Sequence, residues 1–432
     1  MGQTVMQRSI FNVLFGTFTL RFSTALTGAL LAYYLGNLKG PDGAAVTALA
    51  FALIHAAFYA TELIASPIFG LLSDRLGHHR VMQFGPIFGA VAVTITGVAT
   101  DLVVLGGTRV LEGAATAASI PSILGFLALA TSANEDLRGK VSARFELATL
   151  AGLGVGLGVA GIIWELFGPA AFFVNALFYM GSWAIYRFGV AAPDAPSGPH
   201  HQPEYGWRRY ASLLRTSHIW LLAPTWIALN AAIGVYAGTG LFNLVRDESD
   251  KYPNQILAGG LSTFEITLGL VAVGAVFVAG LIYWGNRFKS TRRTTIIFYG
   301  VIGGAALVVA GIAFNHSGGI EPLFRLPFAI VAGVALFVLA GATPAALGLL
   351  ADMSEAYPDD RGAVMGLYGV FLALGQIVGT LVGGWAADRA GFDGLFLATL
   401  LFIFIAMVPL YWLRRYEHMF ETGAAMPPSE AA

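Results

Sequence analysis

Four ionisable side chains stand inside long apolar stretches of the sequence: Arg21, Glu62, Arg109 and Glu112. A charge at the centre of a bilayer costs about 2.5–3.5 kcal/mol on insertion scales, so each of them needs a partner or a wet cavity. Arg109 and Glu112 are three residues apart, which on a helix places them on one face, about 5–6 Å apart. They can take part in proton transfer or form a structural ion pair, and Glu62 can exchange a proton or pair with an arginine.

Aromatic and amide side chains form a second group of candidates, in the C-terminal part of the chain: Trp226, Asn230, Tyr236 and Gln376. On the wall of a cavity, groups of these types suit an amphipathic organic solute. On other helix faces they anchor a helix at the membrane interface or join two helices by hydrogen bonds. Both interpretations stay open, whereas the isolated His55 is expected to be a packed residue.

The sequence excludes several other kinds of chemistry. It contains no cysteine, which rules out disulfides, thiolate metal ligands and cysteine nucleophiles. It has no phosphate-binding loop of the G-x-x-x-x-G-K-[ST] type, no H-E-x-x-H, no G-x-S-x-G and no cluster with metal-ligand spacing. Its 24 basic and 25 acidic residues are balanced and indicate no nucleic-acid partner. We therefore expect no enzyme activity, no cofactor and no metal.

The elements that must position these side chains are membrane helices. The chain is 56% hydrophobic and 11% charged, against roughly 45–50% and about 25% in soluble domains. Apolar runs of about 20 residues, enough to cross a bilayer, recur along the whole chain. We predict an all-α integral membrane protein with twelve transmembrane helices, at approximately 10–36, 46–70, 81–101, 104–130, 142–164, 169–190, 219–245, 259–284, 294–314, 326–350, 363–386 and 393–413.

An internal repeat relates the two parts of the chain. When residues 121–177 are shifted by 223 positions, 18 of the 57 aligned residues are identical, and four glycines from Gly152 to Gly168 fall on glycines. A repeat of an even number of helices is parallel, with its axis along the membrane normal. One long polar, Pro-rich segment separates the repeats. We predict a six-helix N-terminal half at residues 1–190, a linker at 191–217 and a six-helix C-terminal half at 218–432.

The distribution of basic residues predicts the orientation. If the N-terminus is cytoplasmic, 17 of the 24 Lys and Arg residues fall in cytoplasmic segments or at the cytoplasmic ends of spans, five fall in outer loops, and Arg21 and Arg109 lie within spans away from those ends. Such a bias is the positive-inside rule. We therefore expect a multi-pass protein of the cell membrane with both termini and the linker in the cytoplasm.

The loop between the second and third predicted helices reads G-L-L-S-D-R-L-G-H-H-R, and its notable residues are Gly70, Asp74, Arg75, Gly77 and Arg80. Glycines permit a tight turn and close helix approach, and Asp74 can accept hydrogen bonds from the N–H groups of a helix start. The loop resembles the signature G-x-x-x-D-R-x-G-R-R/K of the major facilitator superfamily. The resemblance implies that the aspartate helps to latch the cytoplasmic side.

Two features qualify this resemblance. His78 and His79 stand where the superfamily usually has basic residues, and we interpret them as surface histidines, with pH tuning of the loop as the alternative. A similar string from Gly384 to Gly391 falls on the outer side in the predicted topology.

A second resemblance concerns the fourth predicted helix. The string Arg109-Val-Leu-Glu112-Gly113 resembles the R-x-x-x-G element of proton-coupled antiporters, which implies a role for Arg109 in proton transfer. The superfamily's first and fourth helices line a central cavity, which implies that Arg21 faces substrate or a coupling carboxylate. A structural ion pair is the alternative. The fifth helix has the glycines but lacks the proline of the G-P-x-x-G-G pattern of drug antiporters.

These observations lead to one expected function and its alternatives. We expect a monomeric secondary transporter that works by alternating access and exports an organic or amphipathic small molecule in exchange for protons. The first alternative is a symporter or uniporter of a sugar, metabolite or lipid. The second is a receptor or scaffold, derived from a transporter, that binds without translocating.

Overall fold

The computed structural model describes residues 3–38, 45–131, 135–191, 219–287, 291–355 and 361–422. Nearly all of these residues are helical, and none lies in an extended strand, so the all-α prediction is confirmed. The helices are α1 Gln3–Asn37, α2 Ala48–Leu76, α3 His78–Val81, α4 Phe84–Thr96, α5 Leu102–Ala130, α6 Glu135–Phe167, α7 Ala171–Gly189, α8 Ile219–Val245, α9 Thr263–Asn286, α10 Arg293–Asn315, α11 Pro322–Leu339, α12 Ala342–Glu355 and α13 Arg361–Thr422.

Nine stretches of the described chain are long and apolar enough to cross a membrane. Two of them, Lys140–Gly189 and Gly369–Arg415, contain 50 and 47 residues, more than twice the roughly 20 that one crossing needs. The first contains most of α6 and all of α7, and the second is part of α13, which has a non-helical residue at Gly391. Helix α4, at the third predicted span, has only 13 residues. The membrane-spanning helical architecture is confirmed, and the count of twelve remains a prediction.

The predicted span at 326–350 is interrupted. Helix α11 ends at Leu339 and α12 begins at Ala342. The indole of Trp284 on α9 packs at the break, where its Nε1 donates to Phe337 O at 3.0 Å. A Cβ placed on Gly341 would lie 2.6 Å from the indole Cγ, so only a glycine leaves room for this ring.

The chain divides into two compact units. Unit 1 comprises the described residues between 1 and 198 together with Leu241–Asp247 and Gly260–Val271, and unit 2 comprises the other described residues. The linker predicted at 191–217 lies outside the described residues, except for Ala191. The two predicted halves, which end and begin at this linker, stay predictions.

Glycines let α6 pack tightly on α1 in unit 1. A Cβ placed on Gly152 would lie 2.5 Å from Phe18 O and 3.0 Å from Arg21 Cβ. A Cβ on Gly156 would overlap the carbonyl oxygen of Phe22. Small residues are used at membrane-helix interfaces because they allow backbones to approach this closely.

The same arrangement occurs in unit 2, between α8 and α13. A Cβ on Gly375 would lie 2.5 Å from Asn230 Cβ, and one on Gly379 would overlap a carbonyl oxygen of α8. Gly375 and Gly379 are the repeat counterparts of Gly152 and Gly156 at the 223-residue offset. The repeat therefore preserves a helix contact as well as a sequence pattern.

A further pair of repeat counterparts, Gly168 and Gly391, forms turns with positive φ values of 53° and 61°. At Gly391 the side-chain amide of Gln255, from the segment between α8 and α9, bonds to the backbone on both sides of the bend. Its Nε2 donates to Ala390 O at 2.9 Å, and its Oε1 accepts from Phe392 N at 2.8 Å. The bend in α13 is therefore held by a loop that is distant in sequence.

Other side chains of unit 2 strengthen this attachment. Lys251 Nζ and the Tyr252 hydroxyl donate to Asp388 O at 2.8 and 3.2 Å. At the end of α10, Asn315 Nδ2 donates to Asp393 Oδ1 at 2.9 Å. The string Asn315-His316-Ser317 matches a glycosylation sequon, but Asn315 is fully buried and is therefore no accessible glycosylation site.

We expect Gly156→Val to lower the Tm of the detergent-purified protein, because the added side chain would separate α6 from α1. Overpacking of this kind costs about 1–3 kcal/mol. The matched control is Gly154→Val on the same helix, because a Cβ on Gly154 meets no atom within 4 Å. Equal Tm values for the two variants, measured by differential scanning fluorimetry, would contradict the packing described here.

Candidate functional site

Arg109 and Glu112 form an ion pair in the interior of unit 1. Their exposed fractions are 2% and 0%, and Arg109 Nη1 donates to Glu112 Oε2. The guanidinium also lies over the Phe58 ring, with its Cζ 4.7 Å from the ring centroid. Arg109 Nε is buried and has no hydrogen-bond partner. The spacing of three residues correctly predicts that the two side chains meet on one face of α5.

Polar groups of α1 and α7 surround this pair. The Tyr179 hydroxyl lies 3.4 Å from Glu112 Oε1 and donates to it. Asn175, one turn before Tyr179 on α7, donates to Thr27 Oγ1 at 2.8 Å and to Ser23 O at 3.0 Å. The carboxylate therefore sits in a small polar network that joins three helices.

Asn175, Tyr179 and Thr27 are functional candidates that the sequence did not predict. The available signal was the spacing of Asn175 and Tyr179, which are four residues apart and share a face within an apolar run. A polar pair on one face of a membrane helix indicates a partner in the protein interior.

Arg21 lies midway along α1, is half-buried and has no carboxylate oxygen of a described residue within 4.0 Å. Its Nε is buried without a hydrogen-bond partner. Its charge acts at longer range on Glu62 of α2 and on Glu146 of α6. The close structural ion pair that the sequence left open for Arg21 is absent among the described residues.

Glu146 is a residue that sequence reasoning missed. It lies inside the predicted span at 142–164 and is exposed in unit 1. The span begins close to Lys140 and Arg144, so its first turns read as a charged loop rather than as part of a helix. In the structure α6 begins at Glu135, which places Glu146 about three turns inside the helix.

The four cavity candidates lie in unit 2, and three of them are well buried: Trp226, Asn230 and Gln376 are 2%, 3% and 6% exposed. Asn230 Nδ2 donates to Trp226 O at 2.8 Å within α8. Tyr236 is half-buried, with its ring centroid 6.3 Å from that of Phe396. Asn230 and Gln376 lie where α8 meets α13, and a role in lining a cavity stays a prediction for all four.

Asn230 and Arg21 occupy equivalent places in the two units. The Cβ of Arg21 faces Gly152, the Cβ of Asn230 faces Gly375, and these two glycines are repeat counterparts. The same backbone site therefore carries a charge in unit 1 and a neutral amide in unit 2.

The loop after α2 turns at Gly77, which has a φ of 93° and donates its N–H to Ser73 O at 3.0 Å. The following residue, His78, is not a surface histidine, because its ring packs against Gly125 of α5. Its Nδ1 lies 3.0 Å from Ser73 Oγ and its Nε2 lies 3.7 Å from Asp74 Oδ1. Burial lowers the pKa of His78 below its usual 6.5, and the nearby carboxylate opposes this shift.

Other expectations for this loop are corrected. The Asp74 side chain is 61% exposed and accepts no hydrogen bond from a described N–H group. A Cβ on Gly70 would meet α5 at an ordinary 3.8 Å, so close approach does not require a glycine there. Arg75 and Arg80 are exposed. Burial lowers the pKa of His79, and neighbouring positive charges, Arg80 among them, lower it further.

The chemistry available to these groups is proton exchange and ion pairing. No group of three or more His, Asp or Glu side chains that could hold a metal occurs among the described residues. Among the described residues, Arg109 and Glu112 form a close ion pair, and Arg21 lies within longer electrostatic range of Glu62 and Glu146.

Comparison with known proteins places these features in a family. The family model described as Major Facilitator Superfamily matches residues 13–320 and 253–429. The chain is 22% identical over 388 residues to the quinolone resistance protein NorA of Staphylococcus aureus (strain MRSA252), covering 89% of this chain and 91% of that protein. It is 23% identical over 338 residues to multidrug resistance protein 2 of Bacillus subtilis (strain 168), covering 77% and 78%.

Solved structures show the same fold. A bacterial homologue of the human lysosomal transporter Spinster, in an inward-facing and occupied conformation, has a TM-score of 0.73 at 10% identity and covers 99% of this chain and 100% of its own. The nucleoside transporter NupG has a TM-score of 0.67 at 11% identity, covering 94% and 99%. Because the family model matches nearly the whole length, this chain belongs to the major facilitator superfamily, a family of membrane transporters and not of enzymes.

Proposed function

We propose that this protein exports an organic or amphipathic small molecule in exchange for protons, with Glu112 as the group that carries the proton. The observation that supports the proposal is the fully buried Arg109–Glu112 pair with the Tyr179 hydroxyl beside it. The names of two relatives, a quinolone resistance protein and a multidrug resistance protein, support an organic cargo.

Protonation of Glu112 changes the electrostatics of this pair. The proton adds to a carboxylate oxygen and removes the negative charge, while Arg109 keeps its positive charge. A buried guanidinium without a counter-charge is costly, so the conformation that pairs Arg109 differently or hydrates it becomes favoured. Helix α5 also packs on α2 and α4. A proton on Glu112 can therefore bias the arrangement of the helices around α5.

We propose that this bias drives alternating access. The halves at residues 1–190 and 218–432 rock about a midplane site that opens to each side in turn. The protein acts as a monomer in the cell membrane, with both termini cytoplasmic as the basic residues predict. The loop from Gly70 to Arg80 acts as the latch on the cytoplasmic side, and Arg21 and Glu62 contribute to the transport site.

We expect Glu112→Gln to reduce export driven by a pH gradient at least about tenfold, equivalent to ~1.4 kcal/mol, because glutamine keeps the shape and cannot exchange the proton. The measurement is uptake of a fluorescent organic dye into inverted proteoliposomes with an imposed pH gradient. The control is Glu165→Gln, which changes an exposed carboxylate on α6 and should transport normally.

Four outcomes would count against this function. Unchanged transport by Glu112→Gln, or transport that survives collapse of the pH gradient, would remove the proton coupling. Counterflow without a gradient would favour the symporter or uniporter of a sugar, metabolite or lipid. Tight binding without any transport would favour the receptor or scaffold.

A second prediction concerns the loop after α2. Because the pKa of His78 is lowered below 6.5 in the folded protein, the unfolded chain binds this proton more readily, and stability falls as the pH drops below that value. We expect His78→Gln to lessen the decrease in Tm between about pH 7.5 and about pH 5.5. The same decrease in the wild type and the variant would show that His78 does not contribute to acid sensitivity.

A further inference from the structure

We propose that Arg21, Glu62 and Glu146 form the binding site for a zwitterionic organic compound. Arg21 binds its anionic group, and the two carboxylates bind its cationic group. The inference rests on the proposed function and names the substrate class of that transporter.

Arg21 has no close ionic partner among the described residues. The arginine lies midway along a membrane helix, yet no carboxylate oxygen of a described residue lies within 4.0 Å of it, and its buried Nε has no partner. By contrast, Arg109 has a direct carboxylate partner. A guanidinium presents five N–H donors in a planar fork that matches a carboxylate or phosphate. Arg21 therefore has donors available for an anionic group of a ligand.

Two carboxylates, those of Glu62 and Glu146, lie within electrostatic range of Arg21. The charge of Arg21 acts on both Glu62 and Glu146, which belong to two different helices, α2 and α6. One arginine and two carboxylates leave an excess of one negative charge when all three are ionised. Glu62 is half-buried and Glu146 is exposed, so the group formed by Arg21, Glu62 and Glu146 is accessible from one side. The excess charge favours a cationic group next to the carboxylates.

The residues packed around Arg21 hold it close to the helices that carry the carboxylates. Gly152 brings the backbone of α6 against Arg21 and so fixes the arginine close to the helix that carries Glu146. Tyr59, one turn before Glu62 on α2, is half-buried and lies within electrostatic range of both Arg21 and Glu62. An aromatic ring close to both kinds of charge suits a ligand with an organic ring as well as two charged groups.

Ligands with charge of only one sign complement Arg21, Glu62 and Glu146 less well than a zwitterion does. A cation alone would leave the Arg21 donors unpaired in an apolar setting, which is costly. An anion alone would bring negative charge next to two carboxylates. A ligand with one anionic and one cationic group pairs with the Arg21 donors and with the two carboxylates.

The test compares two dyes with the same aminoxanthene ring system. One carries a free carboxylate and is zwitterionic, and the other is its methyl ester and is cationic. Binding to the purified protein in detergent is measured by fluorescence anisotropy at neutral pH. We expect the zwitterion to bind about tenfold more tightly than the ester, as one charge-assisted hydrogen bond would give.

Variants assign the two charges of the dye to residues. Arg21→Gln should weaken the zwitterion about tenfold and leave the ester within about twofold, because only the zwitterion uses the arginine. Glu146→Gln should weaken both dyes, and it changes an exposed residue, so it tests the site even if the Arg21 variant does not fold. Arg144→Gln, an exposed neighbour on α6, is the control and should bind both dyes normally.

Several results would overturn the proposal. The ester could bind as tightly as the zwitterion, or neither dye could bind. Alternatively, Arg21→Gln could weaken both dyes equally, or Glu146→Gln could keep wild-type affinities for both. Because binding in detergent needs no gradient, these results leave proton-coupled export to be judged by the Glu112→Gln experiment alone. Conversely, zwitterion binding that depends on Arg21 would stand even if transport proved independent of protons.

Discussion

A charge inside a membrane helix must be balanced within the protein, because hydrocarbon offers no water to solvate it. Unit 1 meets this constraint in two ways. Arg109 and Glu112 balance each other directly, whereas the charge of Arg21 is balanced at longer range by Glu62 and Glu146. Close helix packing is the condition for the second way, since Arg21, Glu62 and Glu146 lie on three separate helices and opposite charges there attract appreciably only when the backbones are near. The glycines of α6 supply that proximity between α1 and α6.

Much of the architecture was predictable because it depends on patterns that are local in sequence. Apolar run length gave the helices to within a few residues in most cases, and the spacing of Arg109 and Glu112 gave their pairing. The break between α11 and α12 was not predictable, because it depends on an indole from another helix. His78 was misread as exposed for a similar reason: its burial requires Gly125, far away in sequence. Glu146 was missed because nearby basic residues made the start of α6 resemble a loop.

The two units have kept their packing and diverged in charge. The contact of Gly152 with α1 recurs as the contact of Gly375 with α8, yet Arg21 in the first unit corresponds to Asn230 in the second. A glycine at a crossing point is constrained by the backbone of the partner helix, since any side chain would separate the two. The residue opposite the glycine can vary as long as its Cβ fits. Duplication could therefore yield one charged unit and one with neutral groups at the corresponding site without a change of fold.

The turns at Gly168 and Gly391 have also diverged, and the difference has a practical consequence for labelling. A Cβ on Gly168 meets no atom within 4 Å, whereas one on Gly391 would lie 2.6 Å from Gln255 Oε1 and 2.9 Å from the Tyr252 ring. A fluorophore-bearing cysteine at the first turn displaces no neighbour, although a non-glycine residue at its φ of 53° costs about 1–2 kcal/mol. At the second it would displace the loop that caps the bend. The chain has no native cysteine, so a single one introduced at Gly168 would give a unique attachment point for following conformational exchange by single-molecule fluorescence.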